Sequence, residues 1–316
     1  MTLEEAKAFL GADLERTVAR METLLRSDIP LLDGTNRSLL THAGKLLRPV
    51  LSLLSAGACG PRNEDSIRFA AAVELLHNAT LLHDDVVDGS AERRNLPTVM
   101  SLLGGPASVL IGDFWLVKCI DCLLGADRYS ETVIRLFAKT LSDLAEGEIL
   151  QLQKASSCDT GEEDYFRIIY CKTASLFETA CRSAALSVSA PEPQIEALAR
   201  YGSRLGLAFQ IRDDMLDYGD GCAIGKPTGQ DLREGKITLP LLCALSEVSG
   251  EENLAIRKRV AAAVQAFVRA HGGLARAAQR RDALIREAVS FLEILPDSEE
   301  KSYLASLAHF VGARNN

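Results

Sequence analysis

Aromatic residues are scarce in this chain, at 5% of 316 residues, yet 47% of it is hydrophobic, so any core must be built mainly from aliphatic side chains. That much apolar material excludes a disordered or fibrous chain and suffices for one large domain or two smaller ones. Basic charge is also short: the formal net charge is −8 and the isoelectric point lies near 5.3. No broad basic stripe is available for a phosphate backbone, which argues against nucleic acid as a partner. Clean apolar runs are missing too. The greasiest stretch, residues 109–124, is interrupted by Asp113, Lys118 and Asp121 and falls short of the roughly 20 residues of a membrane span, so a soluble protein is expected. No signal-like apolar segment stands near the first residues, and the eight cysteines are irregularly spaced. That pattern does not suit a secreted disulfide framework, and a reducing, cytoplasmic setting is expected. Cys119 and Cys122 form a lone C-x-x-C without the second pair or nearby histidine that zinc requires, and read as small core residues on an apolar helix.

Strand-like alternation is nearly absent. Apolar-periodic stretches of helical spacing recur from end to end, punctuated at Gly60-Pro61, Gly104-Gly105-Pro106, residues 156–161 and residues 190–193. The predicted fold is all-α. No break is polar enough to be a linker and no short repeat recurs, so a single domain over 1–316 is expected.

Two acidic clusters of identical spacing stand out: Asp84-Asp85-Val86-Val87-Asp88 and Asp213-Asp214-Met215-Leu216-Asp217. Each ends an apolar, helix-like run. On a helix the first and last aspartate of each cluster are i,i+4 neighbours, and such like-charge pairs oppose folding by roughly 0.2–0.5 kcal/mol on an exposed surface. Cations must offset them. At ~100° per residue, Gln210, Asp213, Asp214 and Asp217 share one side of their helix, expected to be wet, opposite Leu205, Ala208, Ile211 and Met215. Upstream, His77, Thr80, Leu81, Asp84 and Asp88 group together. Magnesium is commonly held by one or two carboxylates, substrate phosphates and water, so facing aspartate walls suit a metal-clamped diphosphate. The chain lacks both the Gly-spaced oxygen ligands of an EF-hand and the Glu-x-x-His pairs of a di-iron bundle. Basic residues gather near the clusters: Lys45 and Arg48 before the first, Arg93-Arg94 just after it, Lys172 between the two, and Lys226 and Lys236 after the second. Arginine forks and lysine point charges suit a second diphosphate held without metal.

Taken in order, these pieces resemble the trans-isoprenyl diphosphate synthases. They are Gly44-Lys45 with Arg48-Pro49; His77 through Asp88; Arg93-Arg94 with Pro97-Thr98; Gly112-Asp113; Glu146-Gly147-Glu148; Lys172-Thr173; Phe209-Gln210 before the second cluster; Gly225-Lys226; and Asp231 through Pro240. The resemblance implies an isoprenoid synthase helical bundle around a central cavity. It also implies a homodimer, with isopentenyl diphosphate and an allylic diphosphate as substrates and a membrane-partitioning product. Three Mg2+ ions, for which Mn2+ substitutes, would be held by Asp84, Asp85, Asp88, Asp213 and Asp214, with Asp217 in support. Arg93, Lys172, Gln210, Lys226 and Lys236 would contact the allylic substrate, and Gly44, Lys45, Arg48, His77 and Arg94 would hold isopentenyl diphosphate. Oxygens near Lys172, Thr173 and Gln210 would stabilise an allylic cation during ionisation, condensation and elimination, and no histidine or carboxylate is an evident general base. The chain departs from the family pattern Gly-Gly-Lys-Arg-x-Arg-Pro at Ala43 and Leu46. Altered affinity for isopentenyl diphosphate is the expected effect.

Product length is read from the residues before Asp84. Ala79 and Thr80 are small where makers of short products tend to carry aromatics, and Thr80, Leu76 and Val73 continue a stripe along which each helical turn adds ~5.4 Å. Together with the stretch His77 through His83, this resembles the long-chain branch that makes quinone side chains, with a product of octaprenyl class. A short-chain farnesyl or geranylgeranyl synthase and a non-catalytic partner subunit are the alternatives. A class I terpene cyclase would share the first cluster, but its second metal motif mixes Asn/Asp, Ser/Thr and Glu, unlike Asp213-Asp214-x-x-Asp217.

Overall fold

Alanine, leucine and charged residues at helical spacing produce helices almost throughout the computed structural model, which describes residues 2–42, 44–93, 95–218, 229–248, 250–257 and 261–313. Two compact units are distinguished. Unit 1 comprises Met1–Phe137, Thr179–Glu196 and Leu295–Leu304; unit 2 comprises Ala138–Glu178, Ala197–Ile294 and Ala305–Asn316.

Unit 1 contains α1 (Leu3–Leu24), α2 (Pro30–Thr41), α3 (Leu47–Gly57) and α4 (Glu64–Val87). α4 starts at an Asn63/Ser66 capping box, and its residues 69–76 are all buried, the mark of a helix surrounded by others. The small side chains of Ala70, Ala71 and Ala72 let neighbouring helices come close. There Cys119 Sγ donates to the Ala72 carbonyl and Cys122 Sγ to that of Arg68, each at 3.3 Å, so the C-x-x-C pair is core. The only tryptophan, Trp115, is fully buried, and its Nε1 donates to Asn36 Oδ1 at 2.8 Å. α4 ends at Asp88 in a Schellman motif: Gly89 adopts φ +62°, its N–H donates to the Val86 carbonyl, and the Ser90 N–H donates to that of Asp85. Directly after it a two-stranded ribbon, β1 (Glu92–Arg93) against β2 (Leu96–Pro97), is the one sheet among the described residues. Next come α5 (Val99–Leu103), α6 (Gly105–Leu124) and the start of α7 (Ser130–Ser157). α6 leaves Leu110, Val117 and Leu124 exposed at intervals of seven residues.

Unit 2 holds the rest of α7, then α8 (Glu162–Ile169), a π-helical turn (Tyr170–Ala174), the start of α9 (Ser175–Ser187) and most of α10 (Glu192–Leu216). α11 (Gln230–Arg233), α12 (Leu239–Leu245), α13 (Gly250–Arg257), α14 (Ala261–Ala270), α15 (Gly273–Phe291) and the end of α16 (Glu299–Ala313) follow. One core cluster joins Tyr165 and Ile169 to Leu207, Ile211, Leu239 and Ala277. Another gathers Tyr218, Leu241, Val264 and Val268. Among the described residues no helix is long and apolar enough to cross a membrane.

Candidate active site

Each unit carries one acidic cluster at the C-terminal end of a long helix. The backbone dipole is negative there, so carboxylates at such an end cost roughly 0.3–1 kcal/mol apiece rather than contributing stability. Neither α4 nor α10 has a basic residue in its last turn to offset that cost.

In unit 1, Asp84 is half-buried, Asp85 buried and Asp88 exposed. The ribbon after the Schellman turn brings Arg93 back over α4, where its Nε donates to Asp85 Oδ1 at 2.8 Å. Burial holds the Asp85 carboxyl above its usual range although Arg93 pulls the other way. This pair borders a cavity of about 190 Å³ on the face of α4 carrying Asn78, Leu81 and Leu82. Val73, Leu76 and Ala79 are fully buried; Thr80 is half-buried and its hydroxyl donates to the His77 carbonyl at 2.8 Å. Gly44, at φ +83°, and Lys45 are exposed, Arg48 and His77 half-buried. Ala43 and Arg94 lie outside the described residues.

In unit 2 a cavity of about 160 Å³ collects Lys172, Gln210, Asp214 and Lys236, together with Tyr165 and Asp231. Close helix approach makes this possible. A Cβ on Gly206 of α10 would lie 2.5 Å from Ala174 Cα, and one on Gly147 of α7 would lie 2.6 Å from Cys171 Cβ, so both glycines admit the π turn. The turn presents the Thr173 hydroxyl to Gln210 Oε1 at 2.7 Å and pairs Lys172 with Glu148. Gln210 Nε2 then donates to Asp214 Oδ1 at 2.8 Å, and the Tyr165 hydroxyl donates to Asp214 Oδ2 at 2.6 Å. Burial pushes the Asp214 carboxyl up to about 8, with Asp231 and Asp213 adding to the effect and the two hydrogen bonds opposing it. Burial and Asp217 raise Asp231 to about 6, against the pull of Lys236.

Two details differ from the helical-wheel expectation. Asp213 is exposed as expected, but Asp214 is 5% exposed, because Tyr165 from α8 covers that side of α10. Asp217 spends its carboxylate on backbone: Oδ1 accepts the Gln230 N–H at 2.9 Å and Oδ2 that of Asp231 at 3.2 Å, which fixes the start of α11. Lys226 lies outside the described residues, as does Gly225. Tyr165 and Asp231 received no role from the sequence. Tyr165 stands seven residues, about two turns, before Lys172, and that spacing was the available signal. Asp231 sat inside a recognised stretch without a partner to mark it.

Magnesium suits this donor set. The ligands on offer are hard carboxylate oxygens at two helix ends that call for positive charge. Among the described residues no three His, Cys, Asp or Glu side chains form a metal-holding group by themselves. Magnesium requires less, since phosphate oxygens and water complete its octahedron around one or two carboxylates.

A sequence profile of the polyprenyl synthetase family matches residues 29–269. The chain belongs to the polyprenyl synthetase family. Within that family it is 38% identical to the octaprenyl diphosphate synthase of Haemophilus influenzae, over 100% of this chain and 98% of that one. It is also 38% identical to the all-trans-nonaprenyl-diphosphate synthase (geranyl-diphosphate specific) of Rhodobacter capsulatus, over 90% and 89% of the two chains. The crystal structure of a decaprenyl diphosphate synthase from Rhodobacter capsulatus superimposes with a TM-score of 0.93 at 34% identity, covering 100% of both chains. The all-α fold is that of these synthases.

Proposed function

We propose that this chain is a prenyltransferase that condenses isopentenyl diphosphate with an allylic diphosphate to make a long-chain all-trans polyprenyl diphosphate. The observation that carries the reading is full-length similarity to long-chain synthases combined with an aspartate cluster at the C-terminal end of each of two long helices. Asp84, Asp85, Asp88, Asp213 and Asp214 hold divalent cations, taken as three Mg2+, on the allylic diphosphate. Asp217 supports them through α11. When bound, the metal supplies Lewis-acid charge for the departing diphosphate. Like charges about 4 Å apart repel by ~4 kcal/mol at an effective dielectric near 20, so carboxylates and diphosphate cannot meet without it.

Arg93, Lys172, Lys226 and Lys236 grip the allylic diphosphate, and Gly44, Lys45, Arg48, His77 and Arg94 grip isopentenyl diphosphate. Thr173 donates its hydroxyl hydrogen bond to Gln210 Oε1, which leaves the lone pairs of the threonine oxygen for an allylic cation. The released diphosphate accepts the proton lost in elimination.

The protein acts as a homodimer in this reading, and the exposed Leu110, Val117 and Leu124 of α6 offer an apolar seam for the second copy. Ala79 and Thr80 set product length. The purified full chain, given magnesium with farnesyl and isopentenyl diphosphates, is expected to yield an elongated diphosphate of octaprenyl class, measured by intact mass. Geranylgeranyl product would reassign it to the short-chain synthases, and no product would make it a non-catalytic subunit. Ala79→Phe is expected to shorten the product by several isoprene units, at a cost in stability from overpacking a fully buried position. A length distribution identical to the parent chain would remove Ala79 from that role.

A further inference from the structure

Asp214 is held at both oxygens, and one of its holders has no part in the chemistry described so far. Tyr165 donates to Oδ2 while Gln210 donates to Oδ1, at 2.6 and 2.8 Å, so the carboxylate plane is fixed from two sides. The orientation of the Gln210 amide follows, because its NH2 group is committed to Asp214 and its oxygen therefore faces Thr173. One hydrogen-bond chain thus runs from Tyr165 on α8 through Asp214 and Gln210 on α10 to Thr173 on the π turn. Tyr165 is suited to anchor it. Its ring is 2% exposed, packed against Ile169, Leu207, Ile211 and Leu239, and edge-on to Phe166 at 5.4 Å, while its hydroxyl reaches the cavity lining.

We propose that Tyr165 is a positioning residue whose hydroxyl locks Asp214 in the orientation that receives a divalent cation together with a diphosphate, and through Gln210 sets the direction of the Thr173 hydroxyl. The inference rests on Asp214 being a cation-binding carboxylate. A buried tyrosine hydroxyl needs an acceptor of some kind, so a purely structural role predicts only lost stability on its removal. A positioning role predicts a changed response to metal.

The experiment uses the full chain with Tyr165→Phe, and follows thermal melting as Mg2+ is raised in the presence of inorganic pyrophosphate, alongside steady-state kinetics. Partners that orient metal-binding side chains typically matter by roughly 10- to 100-fold in metal affinity or activity. The Mg2+ midpoint for pyrophosphate-dependent stabilisation is expected to rise within that range and kcat to fall, with KM for isopentenyl diphosphate unchanged. Tyr170→Phe removes a hydroxyl bonded to Glu178 at 3.1 Å in the next turn and is expected to leave the Mg2+ midpoint where it was. Asp214→Asn is the reference. Should it keep the parent Mg2+ response, Asp214 is not a cation site and the underlying reading falls. Should it lose that response while Tyr165→Phe keeps both midpoint and kcat, the positioning role alone is overturned.

Discussion

Asp214 and Asp231 line one cavity with their carboxyls held at about 8 and about 6, and metal-free stability must depend on pH as a result. Both values lie above those of an unfolded chain, so between the ordinary aspartate range and these values the folded state binds more protons than the unfolded one. Stability therefore falls as pH rises through about 6 and then about 8. With chelator present, the melting temperature is expected to be lower at pH 8.5 than at pH 5.5, and Asp214→Asn is expected to flatten the decline. A melting temperature that rises over that interval would contradict the burial of these acids. At this scale the sequence was informative about identity and less so about environment. Spacing was enough to single out both aspartate clusters and the helix face that the second shares with Gln210, while the role of Lys172 came from the family resemblance. It could not separate exposed Asp213 from buried Asp214, because the cover comes from Tyr165, a residue 49 positions away in the chain.

Elements come together at the π turn of Tyr170–Ala174, which sits between Gly147 of α7 and Gly206 of α10. A methyl at Gly206 would meet backbone, 2.5 Å from Ala174 Cα, so no side-chain rotation can relieve it. Overpacking of this kind typically costs about 1–3 kcal/mol. Gly206→Ala is accordingly expected to lower the denaturation midpoint and, by pushing Thr173 away from Gln210, to reduce kcat more than a stability loss of that size explains. Equal kcat in the folded fraction would mean that the turn tolerates displacement. The long helices and their ends were legible from apolar periodicity, including the acidic C-termini of α4 and α10. The π turn was not, since one extra residue in an otherwise helical run leaves the surrounding apolar pattern almost untouched. Nor was the short ribbon that returns Arg93 to Asp85: two-residue strands carry no alternation to detect.

At the level of the whole chain, composition anticipated an aliphatic core and helical periodicity an all-α fold, and membership of the polyprenyl synthetase family accords with both. A single domain over residues 1–316 remains our proposal, set beside the two compact units. Low aromatic content supplies a means of testing it. Trp115, the lone indole, lies fully buried in unit 1 and is tied to Asn36, whereas the buried phenols of Tyr165, Tyr201 and Tyr218 belong to unit 2. Fluorescence excited at the red edge, where phenols do not absorb, therefore watches unit 1 alone, while circular dichroism averages every helix. Superimposable urea curves from the two signals would mark one cooperative transition; an emission change that runs ahead or behind would reveal unit 1 coming apart on its own schedule. The chain thus carries a built-in optical reporter that needs no label.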